Sequence, residues 1–238
     1  MKAVIVAAGM GSRLQGKGWS KPLLELCGKT IISRVMCNAV EGGVTGFVIV
    51  TGYGVEQLAN HVTIEAKKLG VTLDLVHNED FEKPNGLSVV AAKEVIDEPF
   101  LLCMCDHLMD PSIFGKMIAL DVGDDETILG VDYRLDNPLV DLSDVTRVLE
   151  KDGIIQKIGK GIEDYNCFDT GIFRTSPKLF DAILESSSKI GDCSISGGMA
   201  ILGQKGLACV ADIGDYTWID IDDPNMYAKA EDHLKKAS

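Results

Sequence analysis

The sequence predicts an α/β protein whose central, mostly parallel sheet is covered by helices on both faces. Its short apolar runs are continuous and rich in β-branched residues, which is typical of strands that are buried on both faces. Segments with helical spacing separate these runs, as the crossovers between parallel strands require. The chain has 238 residues, a length that suits one large domain with a single core.

Strands and helices alternate in the first half of the chain. Apolar runs predict strands over residues 2–8, 46–52, 72–78, 100–106 and 127–133. Apolar residues at helical spacing predict the helices between them, over residues 30–41, 55–69, 87–95 and 111–120. This order is that of repeated strand–helix–strand units, so the strands are expected to lie parallel.

The pattern changes after residue 133. Asp152-Gly153 lies between two alternating segments and predicts a β-hairpin within an excursion over residues 136–165. Beyond it we expect strands over 167–174 and 207–212, helices over 177–186 and 195–202, and a last helix that begins near Pro224, a residue suited to a first helical turn. The sequence contains no internal repeat, low-complexity tract or linker, so residues 1–238 are expected to form a single domain.

The charge balance argues against nucleic acid as a partner. Lys and Arg number 23 against 36 Asp and Glu, which gives a formal charge of -13, and such a surface repels a phosphate backbone. A small anionic substrate can still bind where a few cationic side chains are local and a divalent metal supplies further positive charge.

The cysteines indicate a reducing compartment. They number seven, they are scattered, and no C-x-x-C pair occurs, so neither a disulfide framework nor a zinc site is predicted. The N-terminal apolar run is short and leads into Gly, Ser and Arg, which favours a first strand over a signal peptide. Since no run of about 18 apolar residues occurs, no transmembrane helix is predicted, and a cytoplasmic location is expected.

A glycine-containing loop, AAGMGSRLQGKGWSKPL over residues 7–23, follows the first predicted strand. It departs from the dinucleotide pattern G-x-G-x-x-G because the third glycine would be Leu14. A Walker pattern that ends at residues 28–30 fails as well, because its first glycine would be Leu23.

What remains is a loop that can approach phosphates closely. Gly9 and Gly11 let the backbone N–H groups face phosphate oxygens, and Arg13 and Lys21 add cationic arms. The loop lies beyond the carboxyl end of a strand, where open α/β sheets bind their ligands. These features favour triphosphate binding without a Walker motif, and the alternative is a tight turn with two surface cations.

Acidic residues stand at the end of one further predicted strand and beyond the end of another. Asp106 closes the run LLCMCD, and Asp220, Asp222 and Asp223 stand in WIDIDDP. Carboxylates brought together from 106 and 220 would suit Mg²⁺, which prefers one or two protein carboxylates completed by waters and phosphates. The alternatives are a turn at Asp106 and a helix N-cap, a role that fits Asp223 ahead of Pro224.

Four motifs, in order over nearly the whole chain, resemble those of the sugar-phosphate nucleotidyltransferases. They are VIVAAGMGSRL with SKPL, then CDH, FDTGIF and WIDIDDP, beside a family pattern of an A-A-G-x-G-x-R-L loop, a Lys-Pro, a strand-end Asp and a late W-x-D. The resemblance implies a three-layer αβα, Rossmann-like nucleotidyltransferase fold with a mixed, mostly parallel central sheet and a β-hairpin excursion.

Finer details, among them NEDFEKPNGLSVVAAKEVID and IQKIGKGIEDYNCFDTGIF, most resemble the CTP:inositol-1-phosphate cytidylyltransferases. This resemblance implies an Mg²⁺-dependent enzyme that transfers CMP from CTP to inositol 1-phosphate and gives CDP-inositol and pyrophosphate. In that family a separate or fused membrane transferase converts CDP-inositol into di-myo-inositol phosphate, a compatible solute of heat-loving organisms. This chain is expected to be the soluble half alone, and its oligomeric state, a homodimer among the options, is left open.

The resemblance also implies roles for residues at matching positions. Arg13, Lys21 and Asp106 are the expected catalytic residues, with Arg13 on the β and γ phosphates. The nucleotide is expected to contact Ala7, Ala8, Gly9, Gly11, Ser12, Arg13, Asn85 and Gly86. The acceptor is expected to contact His107, Lys160, Asp169 and Thr170, and Mg²⁺ is expected to bind Asp106, Asp220 and Asp222.

Two departures from the family pattern bear on these roles. Trp19-Ser20 precedes Lys21 where relatives often have a proline, and IGKG replaces the Glu-Lys-Pro of relatives that use glucose phosphates, which argues against glucose 1-phosphate. The open alternatives are a cytidylyltransferase or uridylyltransferase for another acceptor (phosphocholine, aminoethylphosphonate or a sugar 1-phosphate) and a nucleotide-sensing subunit without activity. For His107, the alternative is a local hydrogen bond.

Overall fold

The structure is a computed structural model, and it describes residues 1–11, 13–14, 20–123 and 125–237. In chain order, its strands are β1 (Lys2–Ala7), β2 (Glu25–Leu26), β3 (Lys29–Thr30), β4 (Gly46–Thr51), β5 (Thr72–His77), β6 (Phe100–Met104), β7 (His107–Met109), β8 (Thr127–Asp132), β9 (Arg147–Lys151), β10 (Ile154–Gly159), β11 (Cys167–Thr175), β12 (Ala208–Asp212) and β13 (Trp218–Asp220). Its α-helices are α1 (Ile31–Glu41), α2 (Val55–Leu69), α3 (Gly86–Ala91), α4 (Pro111–Ile118), α5 (Lys178–Ile190), α6 (Ile195–Gln204) and α7 (Pro224–Ala237). Among the described residues, none of these helices combines the length and the apolar character that crossing a membrane requires.

One sheet of nine strands runs through the described residues, in the order β5-β4-β1-β6-β11-β8-β12-β10-β9. β5, β4, β1 and β6 pair in parallel, and so do β8 and β12. β11 is antiparallel to both β6 and β8, and β10 is antiparallel to both β12 and β9. Only β11 and β10 therefore run against the other strands, and the prediction of a mixed, mostly parallel sheet is confirmed.

The sheet separates two hydrophobic clusters because successive residues of a strand face opposite sides. In β1, Ile5 belongs to the cluster that includes residues of α1, α2 and α4. Its neighbour Val4 belongs to the cluster that includes residues of α3, α5 and α6. Burial on both faces explains why the strands appear in the sequence as continuous apolar runs.

The hairpin predicted at Asp152-Gly153 is present. Both turn residues have a left-handed backbone, with φ of 55° and 80°, as a two-residue type I′ turn requires. β9 and β10 extend the main sheet at one edge, since β10 also pairs with β12 and β9 with β11. The helix predicted over 87–95 is shorter than expected, because α3 tightens into a 3₁₀ turn at Ala92–Glu94, a common end of a helix.

Two short antiparallel ribbons give no signal in the sequence, since their strands have two or three residues each. β2 pairs with β3. β7 pairs with β13, which sets Asp220 opposite His107. The second ribbon matters for function, because it joins a late segment of the chain to the end of β6.

One edge of the sheet collects the residues that the sequence marks as functional. The carboxyl ends of β1, β6 and β8 meet there, together with the amino end of the antiparallel β11. The loop after β1, Asp106 after β6 and Asp169 in β11 therefore share this edge, where open α/β sheets bind ligands.

Candidate active site

The loop after β1 rests on Lys21. Gly11 has φ of 60°, and a Cβ at this position would overlap the Lys21 side chain, so glycine is needed for this contact. Lys21 is 7% exposed, and its Nζ donates to Asp106 Oδ2 at 2.5 Å and to Asp222 Oδ1. Gly9 differs, since a Cβ there would meet no described atom within 4 Å. The packing therefore requires Gly11 rather than Gly9.

Carboxylates from distant parts of the chain converge beside Lys21. The carbonyl of Asp106 accepts the N–H of Ile221 at 3.0 Å, which holds the segment after β13 against the end of β6. Carboxylate oxygens of Asp106 and Asp220 and a ring nitrogen of His107 all lie within 4.8 Å of one another. The Oδ1 atom of Asp220 is buried and has no hydrogen-bond partner among the described residues. The two carboxylates are therefore close enough to bind a single cation.

Lys21 compensates the negative charge of this cluster. Burial disfavours its ammonium, but the carboxylates of Asp106 and Asp222 outweigh that cost and hold the pKa of Lys21 well above its usual range. Burial also disfavours the Asp106 carboxylate, and the cations Lys21 and His107 outweigh it, so the pKa of Asp106 lies below its usual value. Asp220 shows the opposite shift, since burial raises its pKa and the neighbouring carboxylates add to this effect.

His107 is held as an imidazolium between carboxylates. Its Nδ1 lies 2.8 Å from the carbonyl oxygen of Thr170, so this nitrogen carries a proton, because a carbonyl can only accept. Its Nε2 lies 3.4 Å from Asp220 and 3.8 Å from Asp106. Burial lowers the pKa of His107, but Asp220 and Asp106 outweigh burial and raise it to about 10. Gly171 permits this geometry, since its φ is 79° and a Cβ there would overlap the imidazole ring.

Six side chains of alternating charge cross the cleft in one connected row. We call this set the charged row, and its members in spatial order are Lys160, Asp144, Arg13, Asp222, Lys21 and Asp106. Lys160 Nζ donates to Asp144 Oδ1 at 2.6 Å, and Arg13 Nη1 donates to Asp144 Oδ2 at 2.9 Å. Arg13 Nη2 donates to Asp222 Oδ2 at 2.6 Å, and Asp222 is bound in turn by Lys21.

Two adjoining cavities open along the charged row. We name each cavity after the ligand that the sequence predicts there. The nucleotide cavity, about 320 Å³ in volume, is lined by the loop after β1 and by Arg13 and Lys21. The acceptor cavity, about 210 Å³ in volume, is lined by His107, Lys160 and Asp169. Asp106 and Asp222 line both cavities. We call the carboxylates of Asp106, Asp220 and Asp222 the acidic cluster. Two ligands bound in these cavities would meet there.

The residues predicted to contact the nucleotide differ in what they can offer it. Ala7 and Ala8 are buried at the end of β1, and the Ala8 carbonyl accepts the N–H of Tyr53 at 3.0 Å. Asn85 lines both cavities, and its Oδ1 accepts the N–H of Ile195 at 3.1 Å. Gly86 begins α3, where a Cβ would overlap backbone atoms of residues 193–194, so close packing accounts for this glycine. Ser12 lies outside the described residues.

Of the four residues predicted to contact the acceptor, three line the acceptor cavity and one does not. His107, Lys160 and Asp169 line the acceptor cavity. Thr170 is not among its lining residues: the hydroxyl is fully buried and donates to the Gly130 carbonyl at 2.7 Å. Thr170 instead supports the site, because its own carbonyl oxygen fixes His107.

Asp144 and Asp132 are two residues that the motifs did not indicate. Asp144 lies on the connection before β9, and its carboxylate joins Arg13 to Lys160. Asp132 is fully buried at the end of β8, and its Oδ2 accepts Nε1–H of Trp218, which lines the acceptor cavity, at 2.8 Å. Aspartates are common in polar connections and turns, and neither Asp144 nor Asp132 belongs to one of the four motifs, so nothing in the sequence marked these two residues.

Comparison with known proteins assigns the family. The model of the MobA-like NTP transferase domain matches residues 3–151. The chain belongs to this family. A relative of this MobA-like NTP transferase chain, from Rubrobacter xylanophilus, is named bifunctional IPC transferase and DIPP synthase; it is 30% identical over 234 residues, which cover 97% of the chain and 51% of the relative. A relative of the same name from Archaeoglobus fulgidus is 33% identical over 192 residues, which cover 81% of the chain and 35% of the relative.

The MobA-like NTP transferase chain thus spans about half or less of the length of these curated relatives. Among solved structures, it resembles the inositol-1-phosphate CTP transferase from T. maritima over 99% of the chain and 96% of that protein, with 29% identity and a TM-score of 0.85. A UDP-glucose pyrophosphorylase complexed with UDP-glucose matches with a TM-score of 0.79 but only 20% identity, which supports the fold alone. The nucleotidyltransferase fold predicted from the four motifs is confirmed.

Proposed function

We propose that the chain is an Mg²⁺-dependent cytidylyltransferase that transfers CMP from CTP to inositol 1-phosphate and releases pyrophosphate. One observation carries the proposal: the nucleotide cavity and the acceptor cavity share Asp106 and Asp222. A nucleotide held by Arg13 and Lys21 would therefore meet an acceptor phosphate held by Lys160. The name and the likeness of the T. maritima inositol-1-phosphate CTP transferase support the choice of substrates.

The acidic cluster fits a divalent cation. Mg²⁺ prefers carboxylate oxygens together with substrate phosphates, and the buried Oδ1 of Asp220 has no partner among the described residues. Asp106, Asp220 and Asp222 would hold the ion, and Asp144 lies within 4.8 Å of Asp220 and Asp222. Bound there, Mg²⁺ would supply positive charge to the phosphates during the transfer.

The side chains support in-line displacement at the α-phosphorus. An oxygen of inositol 1-phosphate would form the new bond to this phosphorus, while the bond to the β-phosphate's bridging oxygen breaks and its electron pair leaves with pyrophosphate. No general base is needed, because the attacking phosphate is already anionic. Arg13 and Lys21 would neutralise the departing charge and Lys160 would hold the acceptor, so positioning and electrostatics would carry the rate.

The acceptor cavity also offers groups for a polyol. Asp169 Oδ1 accepts the N–H of Gly171 at 2.7 Å, which fixes the carboxylate where it lines the cavity. The largely buried Trp218 lines the same cavity. A carboxylate beside an apolar face suits a ring with several hydroxyl groups, such as inositol.

A second candidate follows from the charge of the acceptor cavity. Carboxylates outnumber the cations that line it: Asp106, Asp141, Asp144, Asp169, Asp220 and Asp222 stand against His107 and Lys160. This balance also suits an acceptor with a cationic head group, such as aminoethylphosphonate or phosphocholine. The activity would then remain cytidylyl transfer with the same nucleotide cavity.

Pyrophosphate release from each nucleoside triphosphate, paired with inositol, glucose, choline and ethanolamine phosphates, separates these candidates. We expect release with CTP and inositol 1-phosphate, and only when Mg²⁺ is present. Asp106→Asn should lower turnover at least about 100-fold, the scale of losing one electrostatic group at a reacting phosphate, and should leave the fold intact. Asp74→Asn is the matched control, because Asp74 lies on the edge strand β5, away from the site, and forms an ion pair with Lys2. Release with an amine-bearing acceptor but not with inositol 1-phosphate would overturn the proposal.

A further inference from the structure

One carboxylate, that of Asp144, holds a cation from each cavity. Arg13, which lines the nucleotide cavity, donates to its Oδ2, and Lys160, which lines the acceptor cavity, donates to its Oδ1. Both oxygens of Asp144 are thus bound by the side chains to which the proposed function assigns substrate phosphates. Arg and Lys bind carboxylate and phosphate oxygens with the same donors, so Asp144 and a substrate phosphate compete for them.

The backbone around Asp144 is well fixed. The carbonyl of Asp141 accepts the N–H groups of Asp144 and Val145 at 3.1 and 2.9 Å. The Asp141 side chain accepts both the N–H and the hydroxyl of Ser143, at 2.9 and 2.6 Å. This turn fixes the backbone from which the Asp144 side chain reaches Arg13 and Lys160, and it therefore limits how far the carboxylate can move away when a ligand arrives.

We propose that Asp144 is an internal competitor for substrate phosphates, which occupies Arg13 and Lys160 and lowers the affinity of both cavities for their ligands. The inference rests on the proposed function, since it takes these two cations as phosphate-binding groups. Asp144 would weaken ligand binding for a second reason. Once Arg13 and Lys160 turn to phosphates, Asp144 loses both of its cations and Asp222 keeps only Lys21. Carboxylate oxygens of Asp144, Asp220 and Asp222 lie within 4.8 Å of one another, so their mutual repulsion is then less compensated.

The expected effect of removing this carboxylate is modest, because both ion pairs face solvent. The side chains of Arg13 and Lys160 are 51% and 57% exposed. Exposed ion pairs contribute at most about 1 kcal/mol each, which corresponds to about fivefold in an equilibrium constant. We therefore expect Asp144→Asn to tighten binding of a phosphate ligand by about two- to fivefold in each cavity.

The nucleotide side is tested with inorganic pyrophosphate as the probe, by isothermal titration calorimetry without metal. Asp144→Asn should bind pyrophosphate about two- to fivefold more tightly than the unmodified protein. The gain should vanish when Arg13→Gln is combined with it, because the competition acts through Arg13. Asp144→Ser repeats the test with a smaller side chain, and circular dichroism verifies that each variant is folded.

Asp141 lines the acceptor cavity but not the nucleotide cavity, so Asp141→Asn is the matched control for net charge in the pyrophosphate experiment alone. It removes the same charge from the same turn, yet its amide oxygen can still accept from Ser143, and Asp141 holds neither cation. An unchanged pyrophosphate affinity in this variant supports the inference. Equal tightening in Asp141→Asn and Asp144→Asn would show a long-range charge effect and would overturn it, and so would unchanged or weaker binding by Asp144→Asn.

The acceptor side is tested with inositol 1-phosphate alone, where Asp144→Asn should again tighten binding and Lys160→Gln should abolish the gain. Loss of binding in Asp144→Asn would instead make Asp144 a ligand-contacting group and overturn the inference. Pyrophosphate carries neither base nor acceptor. If the chain used other substrates, the turnover assays of the proposed function would fail while the pyrophosphate result stood.

Discussion

Asp132 is a buried charge that supports the wall of the acceptor cavity, and its replacement by asparagine tests that role. Its Oδ1 accepts the N–H and the Nε–H of Arg134 at 2.9 and 2.8 Å. Its Oδ2 accepts from Arg134 Nη2 at 3.0 Å, from Asn137 Nδ2 at 2.8 Å and from Trp218 Nε1 at 2.8 Å. One aspartate thus fixes the segment after β8 and the tryptophan that lines the cavity.

Asparagine at position 132 keeps the shape but replaces one acceptor oxygen by a donor and removes the charge. At least two of the present hydrogen bonds then lose their acceptor. Hydrogen bonds to charged groups contribute about 1.5–3 kcal/mol each, and Arg134, 32% exposed, can turn partly to water. We therefore expect Asp132→Asn to lower the free energy of unfolding at pH 7 by about 3 kcal/mol, measured by urea unfolding followed by circular dichroism.

The effect should depend on pH with a definite sign. Burial raises the pKa of Asp132, but hydrogen bonds from Arg134, Trp218 and Asn137 outweigh it and hold the pKa below its usual value. The stabilisation is therefore present above the pKa of the unfolded chain, about 4, and is lost as the pH falls through the lower folded value. The difference in the free energy of unfolding between Asp132→Asn and the unmodified protein should therefore become smaller in acid. Asp136→Asn, on the same segment but exposed, should change stability by less than about 0.5 kcal/mol. A loss below about 1 kcal/mol in Asp132→Asn, or a difference that stays constant in acid, would refute the reasoning.

Two further substitutions test the acceptor side. Gly171→Ala places alanine in a left-handed backbone conformation, which costs about 1–2 kcal/mol, and its Cβ would overlap the His107 ring. The variant should therefore have a lower melting temperature, and its KM should rise more for the acceptor than for the nucleotide. Gly161→Ala is the control, because a Cβ at Gly161 would meet no described atom within 4 Å, and it should leave the melting temperature and the acceptor KM unchanged. Equal effects of the two variants would contradict the role of Gly171. Burial raises the pKa of Asp169 to about 6, so the folded protein binds the proton more tightly and its stability should fall as pH rises from about 4 to 6. Asp169→Asn should lack this slope and be roughly 1–2 kcal/mol more stable at pH 7 by urea unfolding, and identical slopes would rule the assignment out.

The long elements could be predicted from the sequence because burial restricts which residue types occur along them. A strand covered on both faces, such as β6, must be apolar at every position, and a two-residue turn such as Asp152-Gly153 needs residues that tolerate positive φ. The ribbon of β7 and β13 escapes such analysis. Three residues cannot show a period, and tertiary contacts, including the bond from Ile221 to Asp106, set its register.

The candidate site was predictable where residues end strands, and less so where the backbone is irregular. Asp106 and Asp220 were expected at one edge and lie close together. Thr170 was expected at the acceptor because it stands in the FDTGIF motif. The pairing of β11 with β8 shifts register between Asp169 and Phe173, so simple alternation along the strand fails there, and the Thr170 hydroxyl binds the backbone of Gly130 instead.

Under the proposed function, the charged row reconciles an acidic protein with the binding of phosphates. Its three cations, Lys160, Arg13 and Lys21, alternate with three carboxylates, Asp144, Asp222 and Asp106, so its formal charge sums to zero. A nucleic acid backbone approaching the -13 surface would be repelled by it and would find each of these cations already paired with a carboxylate. A small phosphate ligand can enter the cleft, and it gains each cation only by displacing a carboxylate. Binding in such a row is an exchange of ion pairs, so the carboxylates, as much as the cations, set which phosphates bind.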